Sequence, residues 1–283
     1  MSKLYIGVDI GGTSIVAARF SDNEMLDKKE VPTGAERPAE QIMESLYEVI
    51  EMVLTDEVVG IGIGMPGFMD SESGVILQIN NIPSFNGFAI KPKVAEKFGL
   101  PSFQNNDANC FALGETYYGA GKKYTNLVGI TLGTGLGGGI ILNRKIHTGL
   151  MGGAGELGCV PFHGGISEDI CSAALFKNKY GTTGAELYKK AKSGDTEALA
   201  VFDELGRNIG ELLRLVTYVL SPEAFVIGGS VANSWDLLEK PIREDLNSKF
   251  LAPMISKEVD LVRAELDNAG LYGAAALCIS QMS

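Results

Sequence analysis

The apolar and polar positions fall into two similar runs. Residues 4–9 form an apolar stretch, followed by Gly11-Gly12-Thr13 and a second apolar stretch over 15–20. Residues 127–132 lead in the same way through Gly133-Thr134-Gly135 into 138–142. Each run predicts a strand, a tight glycine turn and a returning strand. Their repetition predicts two related α/β lobes, each led by a hairpin. Elsewhere, Ile42, Leu46, Val49, Ile50 and Val53 recur at helical spacing within 39–54. Further helices are expected over 91–98, 108–118, 196–220 (with Asp195 as N-cap), 237–250 and 271–279. Strands are expected over 58–65, 102–104, 224–227 and 261–265. The hinge between lobes is expected near 117–126.

Composition narrows the class. Of 283 residues, 45% are hydrophobic and 21% charged, which suits a globular protein. The 36 glycines cluster at 60–67, 133–139 and 149–158, as expected where backbone turns sharply or approaches a ligand. The net charge of -11 repels nucleic-acid phosphate, so no nucleic-acid partner is expected. No apolar run approaches a membrane span, so no membrane partner is expected either. The first residues lack the apolar core and cleavage site of a signal peptide. With four cysteines, this predicts a cytoplasmic protein with reduced thiols.

The chemistry concentrates in a few motifs. In Asp9-Ile10-Gly11-Gly12-Thr13, a carboxylate ends a strand and a glycine turn follows. The turn's N–H groups can cradle phosphate, and Asp9 can hold Mg²⁺. The same residues also suit a plain hairpin corner. Gly133-Thr134-Gly135-Leu136-Gly137-Gly138 matches G-x-G-x-x-G, but Ile140-Ile141-Leu142 follows as a strand where a dinucleotide fold needs a helix. Gly62, Gly64 and Gly67 match it too, with Pro66 inside. A Walker loop is absent, because no Ser or Thr follows Gly121-Lys122-Lys123.

Five segments in this order resemble the ROK family (repressor, open reading frame, kinase) of the actin-like ATPase superfamily, over nearly the whole chain. They are Asp9-Ile10-Gly11-Gly12-Thr13, Gly62-Ile63-Gly64-Met65-Pro66-Gly67, Asn105-Asn106-Asp107-Ala108-Asn109 with Ala112-Leu113-Gly114-Glu115, Leu132-Gly133-Thr134-Gly135 with Gly137-Gly138-Gly139, and Gly153-Ala154-Gly155-Glu156-Leu157-Gly158. The resemblance implies a two-lobed, ribonuclease H-like α/β fold with duplicated mixed sheets flanked by helices. The N-terminal lobe would hold residues 1–117 and 267–283, the C-terminal lobe 118–266. It implies an ATP- and Mg²⁺-dependent kinase for the 6-hydroxyl of a hexose, glucose foremost, with mannose, N-acetylglucosamine or N-acetylmannosamine as alternatives.

A sugar hydroxyl is a poor nucleophile, and a kinase supplies a carboxylate to take its proton. The resemblance gives that role to Asp107, which as a bare residue would equally suit a helix N-cap. Gly67, Asn81, Asn106, Asp107 itself, Glu156 and Glu168 would line the sugar. Asn81 otherwise reads as a turn residue and Glu156 as a loop-ordering one. Gly11, Gly12, Thr13, Gly133, Thr134 and Gly135 would hold phosphates, Gly228-Gly229 the adenosine side, and Asp9 the Mg²⁺.

The chain departs from the family at its zinc motif, where a His is followed by a cysteine cluster. Cys159 stands at the His position, and 160–167 contains no cysteine. Cys159, His163 and Cys171 offer three ligands where structural zinc takes four, so no structural zinc is expected. Cys110 is expected in the core. His147 and His163 are expected outside the chemistry. The alternative reading is a sugar-sensing regulator or non-catalytic sugar binder. A DNA-binding module before Asp9 is not expected, and Asp9 and Asp107 are both retained. A homodimer is expected by resemblance.

Overall fold

A computed structural model describes residues 3–22, 24–70, 72–248 and 250–282. In chain order the first elements are β1 (Leu4–Ile10), β2 (Ser14–Phe20), β3 (Met25–Pro32), α1 (Ala39–Glu51), β4 (Val58–Met65), β5 (Phe68–Asp70) and β6 (Val75–Gln78). Then follow α2 (Ile90–Phe98), β7 (Ser102–Asn106), α3 (Asp107–Tyr117), β8 (Leu127–Leu132), β9 (Leu136–Leu142) and β10 (Lys145–Ile146). The remainder comprises β11 (Pro161–Phe162), β12 (Gly165–Ile166), α4 (Ser167–Cys171), α5 (Ala174–Tyr180), α6 (Gly184–Lys192) and α7 (Thr196–Leu220). It closes with β13 (Ala224–Gly228), α8 (Trp235–Asn247), α9 (Pro253–Glu258), β14 (Asp260–Arg263) and α10 (Ala269–Met282).

The chain divides into two compact units. One comprises Met1–Lys123, Gly139–Ala154 and Glu265–Ser283, the other Tyr124–Gly138 and Gly155–Ala264. Segment 139–154 therefore groups with the first unit, and one division falls inside β9.

The first sheet has the order β3-β2-β1-β4-β7. Its hairpin pairs are antiparallel, while β4 pairs in parallel with both β1 and β7. The second sheet repeats the plan as β10-β9-β8-β13-β14, with β13 parallel to β8 and β14. The duplication expected from the two glycine turns is thus present in the sheet order. The parallel strands β4 and β13 are buried along almost their whole length, which explains their continuous apolar sequences.

In the first unit, α1 buries Ile42, Met43, Leu46, Val49 and Ile50 in a core shared with β1 and β4. On the sheet's other face lies α10, a helix of small residues. The contact is so close that a Cβ at Gly62 would fall inside the Ala274 carbonyl, and one at Gly273 inside the Cys110 carbonyl. Backbone-to-backbone packing of this kind fixes α3, and with it the N-terminus that carries Asp107, against the sheet. In the second unit, α7 supplies Val201, Phe202, Leu205, Ile209, Leu212 and Leu213 to the core. Asp195 caps it, accepting from the N–H groups of Glu197 and Ala198 at 2.9 and 3.0 Å, as its sequence position predicted.

Candidate active site

The first unit gathers Asp9, Gly11, Gly12, Thr13, Gly67, Asn81, Asn106 and Asp107. Asp9 lies near the C-terminal end of β1. The glycine turn after it closes through a bond from Gly11 N–H to Ser14 O (2.9 Å) and is buttressed by Thr33, whose hydroxyl donates to Gly11 O (2.6 Å). Thr33 N–H also reaches Thr13 O at 3.0 Å. The N–H groups of Gly12 and Thr13 have no acceptor among the described residues, so they remain available to an anion. Asn81 packs against the same turn: a Cβ on Gly12 would meet the Asn81 side chain at 3.3 Å.

Asp107 is the first residue of α3, and Asn106 is its N-cap. This corrects the N-cap alternative for Asp107. The Asn106 amide is committed at both ends. Its Oδ1 accepts the Ala108 N–H at 2.8 Å, and its Nδ2 donates to Gly67 O at 3.1 Å. Asn106 thus ties the start of α3 to the Gly67 turn, where a φ of 99° suits glycine. Gly67 and Asn81 both line a small cleft of about 140 Å³ with Pro66, Phe68, Gln78, Ile79 and Asn80.

Asp107 Oδ1 accepts the Ala108 N–H at 2.8 Å. Apart from its own N–H, no other described residue donates to the carboxylate, and the side chain keeps exposed surface although neighbouring groups crowd it. Burial raises its carboxyl above the ordinary value, and the bonds from the Ala108 N–H and its own N–H partly oppose this. Asp9 is pushed up to about 6, first by burial and then by the negative charge of Asp107. Neither carboxylate forms an ion pair among the described residues. Asp9, a crowded acid without a cation, is a donor that fits Mg²⁺, whose other ligands would be water and phosphate oxygens.

The sign of this shift gives a prediction. A carboxyl raised in the folded state contributes stability that is fully present below its unfolded value and is lost as pH rises through about 6. Ligand-free Asp9→Asn should therefore be more stable than the wild type at pH 8, by at most about 3 kcal/mol. The advantage should vanish near pH 4. Urea unfolding at the two pH values checks this, and equal stability at pH 8 would contradict it.

The second unit holds Gly133, Thr134, Gly135, Glu156, Glu168, Gly228 and Gly229. The Gly133–Gly135 turn closes from Gly133 N–H to Gly135 O at 2.9 Å. As in the first turn, the two N–H groups that follow, those of Thr134 and Gly135, have no acceptor among the described residues. Gly229 has a φ of 87°, and a Cβ there would collide with the Leu132 backbone that leads into the turn. Glu156 is exposed at the start of a short helical turn. Glu168 is half-buried and its Oε2 accepts the Leu136 N–H at 2.9 Å, a contact its motif position did not reveal.

Cys159 is exposed, and its thiol is raised first by burial of its surroundings and then by the charges of Glu156 and Glu168. Cys171 is buried in the second unit's core, with its thiol pushed up to about 12. His163 faces Glu211 at 3.2 Å. Among the described residues no three His, Cys, Asp or Glu side chains are grouped to hold a metal ion. Cys110 is fully buried on α3 beneath Asp9 and Asp107, as expected for a core residue. No helix of the described residues is long and apolar enough to cross a membrane.

Paired mixed sheets, each opened by a glycine-turn hairpin and flanked by helices, define the actin-like ATPase fold. Comparison with known proteins is more specific. The sequence model of the ROK family matches residues 5–281. A glucokinase of Halalkalibacterium halodurans is 33% identical, with 99% of this chain and 96% of the relative covered. A ROK hexokinase of Thermus thermophilus superposes with a TM-score of 0.84 at 30% identity, covering 99% of each chain. A ROK family glucokinase from Streptomyces griseus, solved with glucose and AMPPNP, superposes with a TM-score of 0.77 at 31% identity, covering 97% of this chain and 98% of that one. The chain belongs to the ROK family.

Proposed function

We propose that the protein is an ATP-dependent hexose kinase that phosphorylates the 6-hydroxyl, with glucose as its main substrate. The observation that carries this reading is Asp107: a carboxylate at the start of α3 with one oxygen anchored on Ala108 N–H and the other free of any bond from another described residue. In the proposed reaction that free oxygen takes the proton of the sugar hydroxyl as the hydroxyl oxygen bonds to the γ-phosphorus and the bond to ADP breaks. Raising the carboxyl's proton affinity, as burial does here, suits a base at neutral pH.

On the first unit, Asp9 would hold Mg²⁺, and the Gly12 and Thr13 N–H groups would meet phosphate oxygens beside Gly11. Bound Mg²⁺ neutralises charge on the nucleotide phosphates. Asn81 and the Asn106–Gly67 pair would shape the sugar side. On the second unit, Gly133, Thr134 and Gly135 would bind phosphate, Gly228 and Gly229 the adenosine side, and Glu156 and Glu168 sugar hydroxyls. The glucokinase relative and the glucose and AMPPNP complex of the Streptomyces griseus protein support both the sugar class and the donor.

A coupled ADP-release assay with glucose, mannose, N-acetylglucosamine and N-acetylmannosamine tests the reading. Sugar-dependent ADP release, fastest with glucose, is expected. Sugar binding without any ADP release would instead favour a sugar-sensing role.

A further inference from the structure

Glu168 stands in the proposed sugar set, yet the structure engages it elsewhere. Its Oε2 takes the Leu136 N–H at 2.9 Å, immediately after the second glycine turn. The carboxylate lies directly on Gly135, and a Cβ at that position would collide with Oε2. Gly158, from the Glu156 loop, borders the same oxygen: a Cβ there would stand 3.4 Å from it and would collide with Leu136 O.

The segment after Glu168 completes the hold. Ala173 N–H donates to Gly133 O at 3.0 Å. Ser172 Oγ lies 3.3 Å from Thr134 O and 2.7 Å from Glu168 O. Residues 168–173 therefore grip Gly133 O, Thr134 O and Leu136 N–H together. That grip leaves the Thr134 and Gly135 N–H groups as the ones without an acceptor among the described residues. The arrangement aims two N–H donors by holding the carbonyl end of each one's own peptide plane, Gly133 O for Thr134 N–H and Thr134 O for Gly135 N–H, with Leu136 N–H fixing the next plane.

We infer that Glu168 is a positioning residue of the nucleotide-phosphate turn, so that its side chain governs nucleotide affinity as well as sugar affinity. The inference rests on the hexose-kinase reading. A charged acceptor on a backbone N–H is strong enough to matter. Two glycines, Gly135 and Gly158, give the carboxylate room to reach it.

Titration of the wild type, Glu168→Ala and Glu168→Gln with Mg²⁺-AMPPNP, in the absence of sugar, tests this. Glu168→Ala should weaken AMPPNP about tenfold, the usual effect of losing one charge-assisted bond. Glu168→Gln keeps an oxygen for Leu136 N–H and should stay within about twofold of the wild type, while its glucose affinity falls. Gly135→Ala should weaken AMPPNP in the wild-type background, and clearly less when combined with Glu168→Ala, because the collision is then relieved. If both Glu168 variants bind AMPPNP like the wild type and lose only glucose affinity, the positioning role is wrong and Glu168 is a sugar contact alone. If the wild type itself binds no AMPPNP, the kinase reading fails instead.

Discussion

Asp107→Asn is expected to lose roughly 10²–10⁴ in kcat, the range for removal of a general base. Glucose affinity should change little. The substitution is nearly isosteric, and an Asn oxygen can still accept the Ala108 N–H that Asp107 Oδ1 now accepts. Asn106 continues to cap α3 through its own bond to Ala108 N–H, so the helix start survives. The variant loses only the proton-accepting oxygen. Calorimetric glucose titration alongside steady-state kinetics separates the effects. Near wild-type turnover would remove Asp107 from the chemistry, and a lost glucose affinity would make it a sugar ligand.

The second large effect is on stability. Glu115 is fully buried in α3. Its Oε2 accepts the N–H groups of Ala120 (2.8 Å) and Glu265 (3.3 Å), and its Oε1 accepts that of Leu266 (2.9 Å). These backbone groups lie close to where the chain leaves the first unit at Lys123 and re-enters it at Glu265. Glu115→Ala would strip all three of their acceptor. At about 1–3 kcal/mol for each unsatisfied buried donor, the loss is roughly 3–9 kcal/mol, against typical domain stabilities of about 5–15 kcal/mol. Glu115→Gln keeps one oxygen acceptor and should lose distinctly less. Urea unfolding of the three proteins measures both, and a Glu115→Ala protein as stable as the wild type would contradict the role.

The hairpins β1–β2 and β8–β9 were legible in the sequence because apolar runs flank a glycine turn, a pattern set by local chemistry. Helix α7 was legible for the same reason, with its apolar period and its Asp195 cap. Strand β3 was not: its residues Asp27-Lys28-Lys29-Glu30 are charged, since it forms the sheet's edge and buries almost nothing. Helices α5 and α6 are only seven and nine residues long, too short for an apolar period to repeat over 174–192. The start of α3 differs by one residue from the sequence reading, because Asn106 and Asp107 are both good cap residues, both side chains accept the Ala108 N–H, and only the extended backbone at Asn106 shows which is the cap.

The candidate site divides along the same line. Its glycines and its Asp9 and Asp107 carboxylates sit in contiguous motifs, and sequence alone points to them. The hold of Glu168 on Leu136 joins residues 32 apart, and that of Glu115 on Leu266 joins residues 151 apart. Neither contact leaves a local signature. Asn106 was expected on the sugar, yet both ends of its amide already bond to the backbone, so its visible work is to join α3 to the Gly67 turn.

The most direct measurement is phosphorus-31 NMR of the protein incubated with glucose and Mg²⁺-ATP. The account predicts that ADP and a single sugar phosphate, glucose 6-phosphate, grow in equal amounts, and that both are nearly absent with Asp107→Asn. Release of inorganic phosphate in place of the sugar phosphate, or equal yields from the two proteins, would contradict it.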